Sequence, residues 1–487
     1  MSMGHVIKKQ VLDIGVRQSE AFQVQHELSH WYWNHLRPLL ERAFDELAPS
    51  DEVIQIDKLE IDLGHINPSS FLDPHWTAAL EQTLVEELKK AIRDQSTAGN
   101  PISKQSPVLQ AAWQWLYYIE YGLLPWNLGT IPAGWLSKVL EALATDIICI
   151  GDLRKLILSK RSALQRIIHQ YDDAFITSIL KVLTARQQPE LQLVINEIQQ
   201  LSQIGRPAPA KIFSPSLFRE QCLFVLITDA TRYGHRFEID KSLVTLCRAV
   251  VKGKAIKQTD LESLSASIPL LKPALEAMLR TSSTIDDKLF AVNGTTGKPD
   301  LPVDPLEEPA LQDEGKGDSG HDSLYTGMAG LVLLHPFLNI LFSQLNWVEH
   351  GAFRNKACQQ QAIGLLHFMA TGQTTAPEYT LVMAKLLCGY PLKEPIQMDF
   401  DFSEDELEEA RHLLNVVISK WEVLKRTSIE GLREGFLQRM GKLTESEPGF
   451  LLQVENGSID ILLDQLPWGI SMIKLPWMKH LLRVDWR

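Results

Sequence analysis

The stretch Leu466–Arg487 reads LPWGISMIKLPWMKHLLRVDWR, with two Leu-Pro-Trp triplets nine residues apart and a third tryptophan, Trp486, beside the final arginine. A chain terminus is ordinarily polar and frayed, so three large indoles here predict an end that is tied down. The triplet has a mechanical logic. The residue before proline is pushed to extended geometry, proline fixes φ, and tryptophan supplies the largest apolar anchor available. Leu466, Pro467, Trp468, Leu475, Pro476, Trp477 and Trp486 are therefore the candidate terminal anchor, packed into their own domain or presented to a partner subunit. None of them brings a catalytic group. Leu124-Pro125-Trp126 repeats the device far upstream.

Working back from this end, SIDILLDQ precedes the triplets, and before it Phe450, Leu452 and Val454 alternate as a strand. Two capping boxes stand upstream, Ser403 with Glu406 and Thr427 with Glu430. The first is expected to open a helix burying Leu414, Val417, Ile418, Trp421 and Leu424. The second is expected to open one burying Ile429, Leu432 and Phe436 and stopping at Gly441. Residues 324–487 thus read as a helical domain ending in short strands. Residues 282–323 have the acidic, Pro/Gly/Ser-rich composition of a disordered linker.

Residues 107–281 form a succession of short amphipathic segments such as LQRIIHQY and AFITSILKVL, punctuated by Gly and Pro, which predicts an irregular helical domain. Residues 1–98 suggest a strand, helix, strand order: an apolar, β-branched start, a helix from Ser19 to Leu47, alternation from Val53 to Ile66, and a further helix near 73–94. The polar connector STAGNPISKQSP follows as a boundary. The fold class is mainly α with small β elements, an α+β chain.

Composition excludes several functions. With 48 Lys and Arg against 60 Asp and Glu the net charge is −12, which argues against a phosphate backbone as partner, so nucleic acid is not expected. Eight acidic residues against the single Lys316 between Asp300 and Asp322 concentrate that charge in the linker. Five cysteines, odd in number and widely spaced in apolar sequence, predict reduced, buried thiols in a cytosolic protein. The first residues lack the apolar core of a secretory signal. The most apolar run, Met328–Phe342, is broken by His335, Pro336 and Asn339 and is shorter than the roughly 20 residues of a membrane span, so it is expected to be a buried helix rather than a membrane contact.

One motif invites an enzymatic reading. His26-Glu27-Leu28-Ser29-His30 matches the HExxH pattern, in which two histidines share a zinc ion and the glutamate is general base, making a zinc metallopeptidase the enzymatic alternative. The core face of that helix is read as Leu28, Tyr32, Leu36, Leu39 and Ala43. At 100° per residue, both histidines fall about 160° from Leu28, on the outer face. Gly317-Asp318-Ser319-Gly320 resembles a serine-nucleophile loop but lies in the linker without a scaffold. Gly294 to Lys298 lacks the spacing of a P-loop. Cys388 has an apolar approach and no neighbouring base in sequence. No metal, cofactor or catalytic residue is assigned, and the chain is expected not to be an enzyme.

Taken together, HVIKKQVLDI, VIQIDKLEIDLG, YGLLPW, AGLVLLHPFL, AIGLLHFMATG, PEYTLVMAKLLCGYPL, TSIEGLREGFLQRMGKL and LPWGISMIKLPWM resemble the tape measure protein family of contractile injection systems. In these phage-tail-like machines a sheath drives an inner tube. The likeness is close to continuous over 325–486, good over the first 66 residues and thin between. Met440 departs from the acidic residue expected before GKL, and HELSH is not a family pattern. The resemblance implies a non-enzymatic assembly scaffold that sets tube and sheath length and contacts tube or baseplate proteins. It also implies a cytoplasmic location during assembly, then one inside the tube of the released particle. A ruler should be extended, and 487 residues as one helix would reach about 730 Å. With 25 Pro, 28 Gly and no sustained heptads, such a helix is excluded from the folded monomer. Two accounts follow from the resemblance: a chain that extends inside the tube, or an assembly, capping or chaperone factor of the same machine.

Overall fold

A computed structural model describes residues 7, 10–12, 31–47, 53–55, 82–83, 85–87, 89–90, 103–128, 131–186, 193–194, 215–251 and 323–486. The chain divides into two compact units, Met1–Gln114 with Asn127–Thr145, and Trp115–Trp126 with Asp146–Arg487. The protein is mostly helical with a small mixed sheet near its C-terminus, the α+β class expected.

In the first unit, a π-helical turn at Tyr32–Leu36 runs into α1 (Arg37–Leu47). Leu36, Leu39 and Ala43 are buried on one face, as their spacing predicts. Strand β1 (Val53–Gln55) pairs antiparallel with β2 (Ser103–Gln105). That second strand lies within the polar connector read as a boundary. Its only ladder among the described residues is with β1, and the backbone bonds of such a ladder do not demand an apolar sequence. Helix α2 (Pro107–Tyr121) begins in this unit, and α3 (Trp135–Thr145) buries Trp135, Val139 and Leu143. The Trp135 indole N–H donates to Gln114 Oε1 at 3.3 Å, so a buried polar group keeps its partner.

The second unit carries the helical array α4 (Ile147–Ser159), α5 (Arg161–Gln170), α6 (Asp173–Thr184), α7 (Pro215–Tyr233) and α8 (Ile239–Val251). Asp146 caps α4 by accepting from the Ile148 and Cys149 amides, and Asp172 caps α6 through the Phe175 amide. The Arg154 guanidinium donates to Leu183 O at 2.6 Å and Thr231 O at 2.9 Å. One cation thus satisfies carbonyls at the C-terminal ends of α6 and α7, where the helix dipoles are negative.

Residues 323–486 continue this unit. Strand β3 (Leu324–Thr326) leads into a 3₁₀ helix at Ala329–Leu334, buried at every position, and then α9 (His335–Gln344). The apolar run is buried through Leu334 and at Leu338, Leu341 and Phe342, but Ile340 is exposed, and the run is two helices, because Pro336 suits the first turn of a new α-helix and not the interior of a continuous one. A hairpin, β4 (Val348–Glu349) and β5 (Ala352–Phe353), leads to α10 (Lys356–Thr371), α11 (Val382–Leu387) and α12 (Glu404–Lys420). Ser403 and Glu406 form the reciprocal capping box, and Leu414, Val417, Ile418, Trp421 and Leu424 are buried.

The second predicted cap is displaced by one residue. Ser428 accepts from the Gly431 amide and opens α13 (Ile429–Leu432), which passes into a π-helical turn at Arg433–Leu437. Thr427 Cγ2 instead occupies the space that a side chain at 431 would need, 2.7 Å from where its Cβ would be. Gly441 does not merely end this segment. It begins β6 (Gly441–Ser446), which forms a hairpin with β7 (Gly449–Val454). After a 3₁₀ helix at Ser458–Gln465 come β8 (Met472–Ile473) and β9 (Leu481–Asp485). The sheet order is β3-β6-β7-β9-β8, with β7 and β9 parallel and the other pairs antiparallel. The last strand is therefore an interior strand. Gly449 permits this close pairing, since a Cβ there would lie 2.0 Å from Leu481 O.

Candidate functional site

The terminal stretch is held by three indoles, each donating its N–H to a different part of the second unit. Trp468 reaches Leu333 O at 3.1 Å and packs edge-on against Phe337. Trp477 reaches Leu387 O at 2.8 Å and sits among Phe342 and Phe353, with ring centroids 5.7 and 5.0 Å away. Trp486, buried, donates to Asp460 Oδ2 at 3.2 Å. That carboxylate also accepts from the Gly457 amide at 2.7 Å and from Arg439. Leu475 is buried beside these rings, Leu466 is half-buried, and Pro467 and Pro476 are exposed at the bends. The indoles are engaged at separate points and do not converge on one cleft. In the upstream triplet Pro125 is buried, and the preceding Leu123 joins the same apolar cluster as the terminal residues.

A second constellation has no counterpart in the sequence reading. Arg166 on α5 donates from Nε to Glu378 Oε2 at 3.1 Å, from Nη1 to Ile119 O and Glu120 O at 2.8 and 2.9 Å, and from Nη2 to Lys393 O. Lys385 Nζ donates to Glu378 Oε1 at 2.7 Å, to Glu394 O at 2.8 Å and to Leu392 O at 3.1 Å. The side chains of Arg166, Glu378 and Lys385 are 0, 0 and 2 % exposed. Burial pushes the Lys385 ammonium below its usual range, and the Glu378 carboxylate opposes that shift. Gln170 completes the group. Its Oε1 accepts from the Glu378 amide at 2.8 Å and the Tyr118 hydroxyl at 3.2 Å, and its Nε2 donates to Ile396 O at 2.7 Å.

The sequence held one signal of this hub. Glu378 and Lys385 are charges seven residues apart, two helical turns, within the apolar stretch EYTLVMAKLL. Arg166 is more than 200 residues upstream, and only the fold brings it to them.

His26 to His30, Gly294 to Lys298 and Gly317 to Gly320 lie outside the described residues. Among the described residues no group of His, Cys, Asp and Glu is arranged to hold a metal. Burial raises the Cys388 thiol well above its ordinary range, which disfavours the nucleophilic thiolate. Cys149, Cys358 and Cys388 are free thiols, and Cys222 and Cys388 are buried. No helix among the described residues is long and apolar enough to cross a membrane.

Side chains that cap helices, rings that pin a terminal strand and a charge cluster saturated by the chain's own carbonyls define a structural scaffold of helical α+β type. The family comparison gives the scaffold its setting: residues 4–486 match the model for the contractile injection system tape measure protein, and the chain belongs to that family. Its role is that of a structural tape measure in such a machine. Searches among curated proteins and among solved structures returned no match.

Proposed function

We propose that the chain exerts its tape-measure role without enzymatic chemistry, as folded bodies that bind tube or baseplate proteins in the cytoplasm during assembly and that end inside the tube of the released particle. Length is then set by how much folded chain is present and not by a preformed rod. The observation that carries this reading is helix length. The longest described helix, α7, has 19 residues and so spans about 29 Å, against about 730 Å for the whole chain as one helix. We further propose that Leu466, Pro467, Trp468, Leu475, Pro476, Trp477 and Trp486 act as a terminal anchor. All three indole donors are already used within the chain, which favours this over a partner-facing role.

The test is to delete, and separately to duplicate, residues 146–251 and measure tube lengths in electron micrographs of assembled particles. The deletion is expected to shorten tubes and the duplication to lengthen them. Tubes of unchanged length would refute a ruler and favour an assembly, capping or chaperone factor. Non-enzymatic binding is checked by co-purification of the intact chain with tube or baseplate proteins.

A further inference from the structure

Among the described residues the second unit contains two apolar clusters, both touched by the 115–123 segment, whose Trp115 ring lies 5.9 Å from Phe175 of α6. The cluster built by residues 328–486 takes in Leu123 and Tyr121 from that segment but no described residue of α4–α8. Those helices nevertheless bury Leu153, Leu164, Ile167, Ile176, Leu180 and Leu226 among themselves. Where α5 meets the 377–396 segment the groups are polar: the Arg166, Glu378 and Lys385 hub with Gln170, and the Tyr118 ring edge-on to Tyr379 at 5.8 Å. At the outer margin the Tyr121 ring lies 5.4 Å from both the Lys160 and Lys393 ammoniums, and Lys160 pairs with Glu120 while Lys356 pairs with Glu394.

We propose that this seam is a reversible latch, at which α4–α8 undock as a folded body from residues 323–486 and redock in one register. An apolar seam would fuse the two cores, and opening it would expose greasy surface to water. A seam of three buried ions behaves differently. Separation returns each ion to water and recovers its desolvation penalty, which offsets most of the Coulomb and hydrogen-bond energy lost. Each body meanwhile keeps its own apolar core.

Directional bonds also fix the register, because a shifted docking would leave buried charges without partners. Gly122 enforces the fit. With φ at +73°, it has no Cβ, which would otherwise lie 2.5 Å from Glu378 Oε1 and 2.8 Å from Arg166 Nε. The latch is a property of the folded chain and does not depend on how tube length is set.

The experiment is native-state hydrogen exchange on the full-length chain. The Glu378 amide reports on the seam, because its acceptor is the Gln170 side chain on α5. It is expected to exchange at least ~100-fold faster than the Leu366 and Leu414 amides in the cores, with a denaturant dependence that marks a collective opening and not local fraying. Replacing the hub with apolar groups, Arg166→Met with Glu378→Leu and Lys385→Met, should slow this reporter at least ~10-fold. A Glu378 amide as slow as the core amides, or one with no denaturant dependence, would overturn the latch. So would a folded triple variant whose reporter exchanges at the wild-type rate. The wild-type measurement decides the matter if the triple variant does not fold.

Discussion

Replacement of Trp486 by phenylalanine and by alanine separates the two parts of the terminal clamp. The indole is 5 % exposed, and it follows β9 directly, so what it holds is the interior strand of the sheet. Phenylalanine keeps most of the buried ring and removes the N–H donated to Asp460 Oδ2, a hydrogen bond to a charged group worth about 1.5–3 kcal/mol. The Gly457 amide and Arg439 remain on that carboxylate, which places the loss near the middle of that range, about 2 kcal/mol. Alanine removes the ring as well, and the whole Trp→Ala change in a core that cannot collapse costs about 3–5 kcal/mol, hydrogen bond included.

The readout for this pair is the Val484 amide, which bonds to Ser471 O at 2.9 Å and so reports whether β9 is seated. At about 1.4 kcal/mol per decade, its exchange should accelerate about 30-fold in Trp486→Phe and about 1000-fold in Trp486→Ala. The same two variants tested in particle assembly distinguish an internal anchor from a partner-facing one. An internal anchor loses assembly in proportion to β9 opening. Val484 exchange within twofold of wild type in both variants, with assembly lost, would refute the clamp and make Trp486 a docking residue.

Gly122→Ala should lower the melting temperature by roughly 5–10 °C, from about 1–2 kcal/mol of left-handed backbone strain plus displacement of the Glu378 and Arg166 side chains, read by circular dichroism; a shift under ~1 °C would contradict the geometry. His367 supplies a pH dependence. It is 4 % exposed, neither ring nitrogen makes a well-formed hydrogen bond among the described residues, and burial holds its pKa below the usual 6.5, with the Thr375 backbone pulling partly the other way. The folded state therefore binds fewer protons than the unfolded state, so stability is full above about pH 6.5 and is lost as pH falls toward the depressed folded value. Thermal melts between about pH 7 and 5 should show this slope, and His367→Phe should flatten it.

What the sequence made legible was whatever depends on neighbours along the chain. The Ser403 and Glu406 box needs only a three-residue spacing, and the burial of Leu414, Val417 and Trp421 needs only the helical period. The second cap shows where local rules become degenerate. Thr427 and Ser428 are adjacent, both have a hydroxyl, and Glu430 suits the first as a reciprocal partner. The choice falls to Ser428 because Gly431 leaves room for the Thr427 methyl. The strand GKLTES was hidden for a related reason. Its apolar content is one leucine, and its placement comes from hydrogen bonding to β7 and β3 and not from a pattern of its own.

The terminal tryptophans stood out in the sequence, but the acceptors that their indoles reach did not. Leu333 O, Leu387 O and the Asp460 carboxylate lie 135, 90 and 26 residues away from their indoles. The hub lies at the far end of this scale. An arginine in an amphipathic helix and a glutamate and lysine in an apolar run each look like local imperfections. They become a single saturated cluster only when α5 is laid against the 377–396 segment. Because a lone buried charge would cost several kcal/mol, each member's presence requires the others. A substitution at Arg166 therefore strands Glu378 between one cation and a void, while the concerted apolar replacement of all three leaves nothing stranded. The hub should accordingly be far less tolerant of single substitutions than of the triple one.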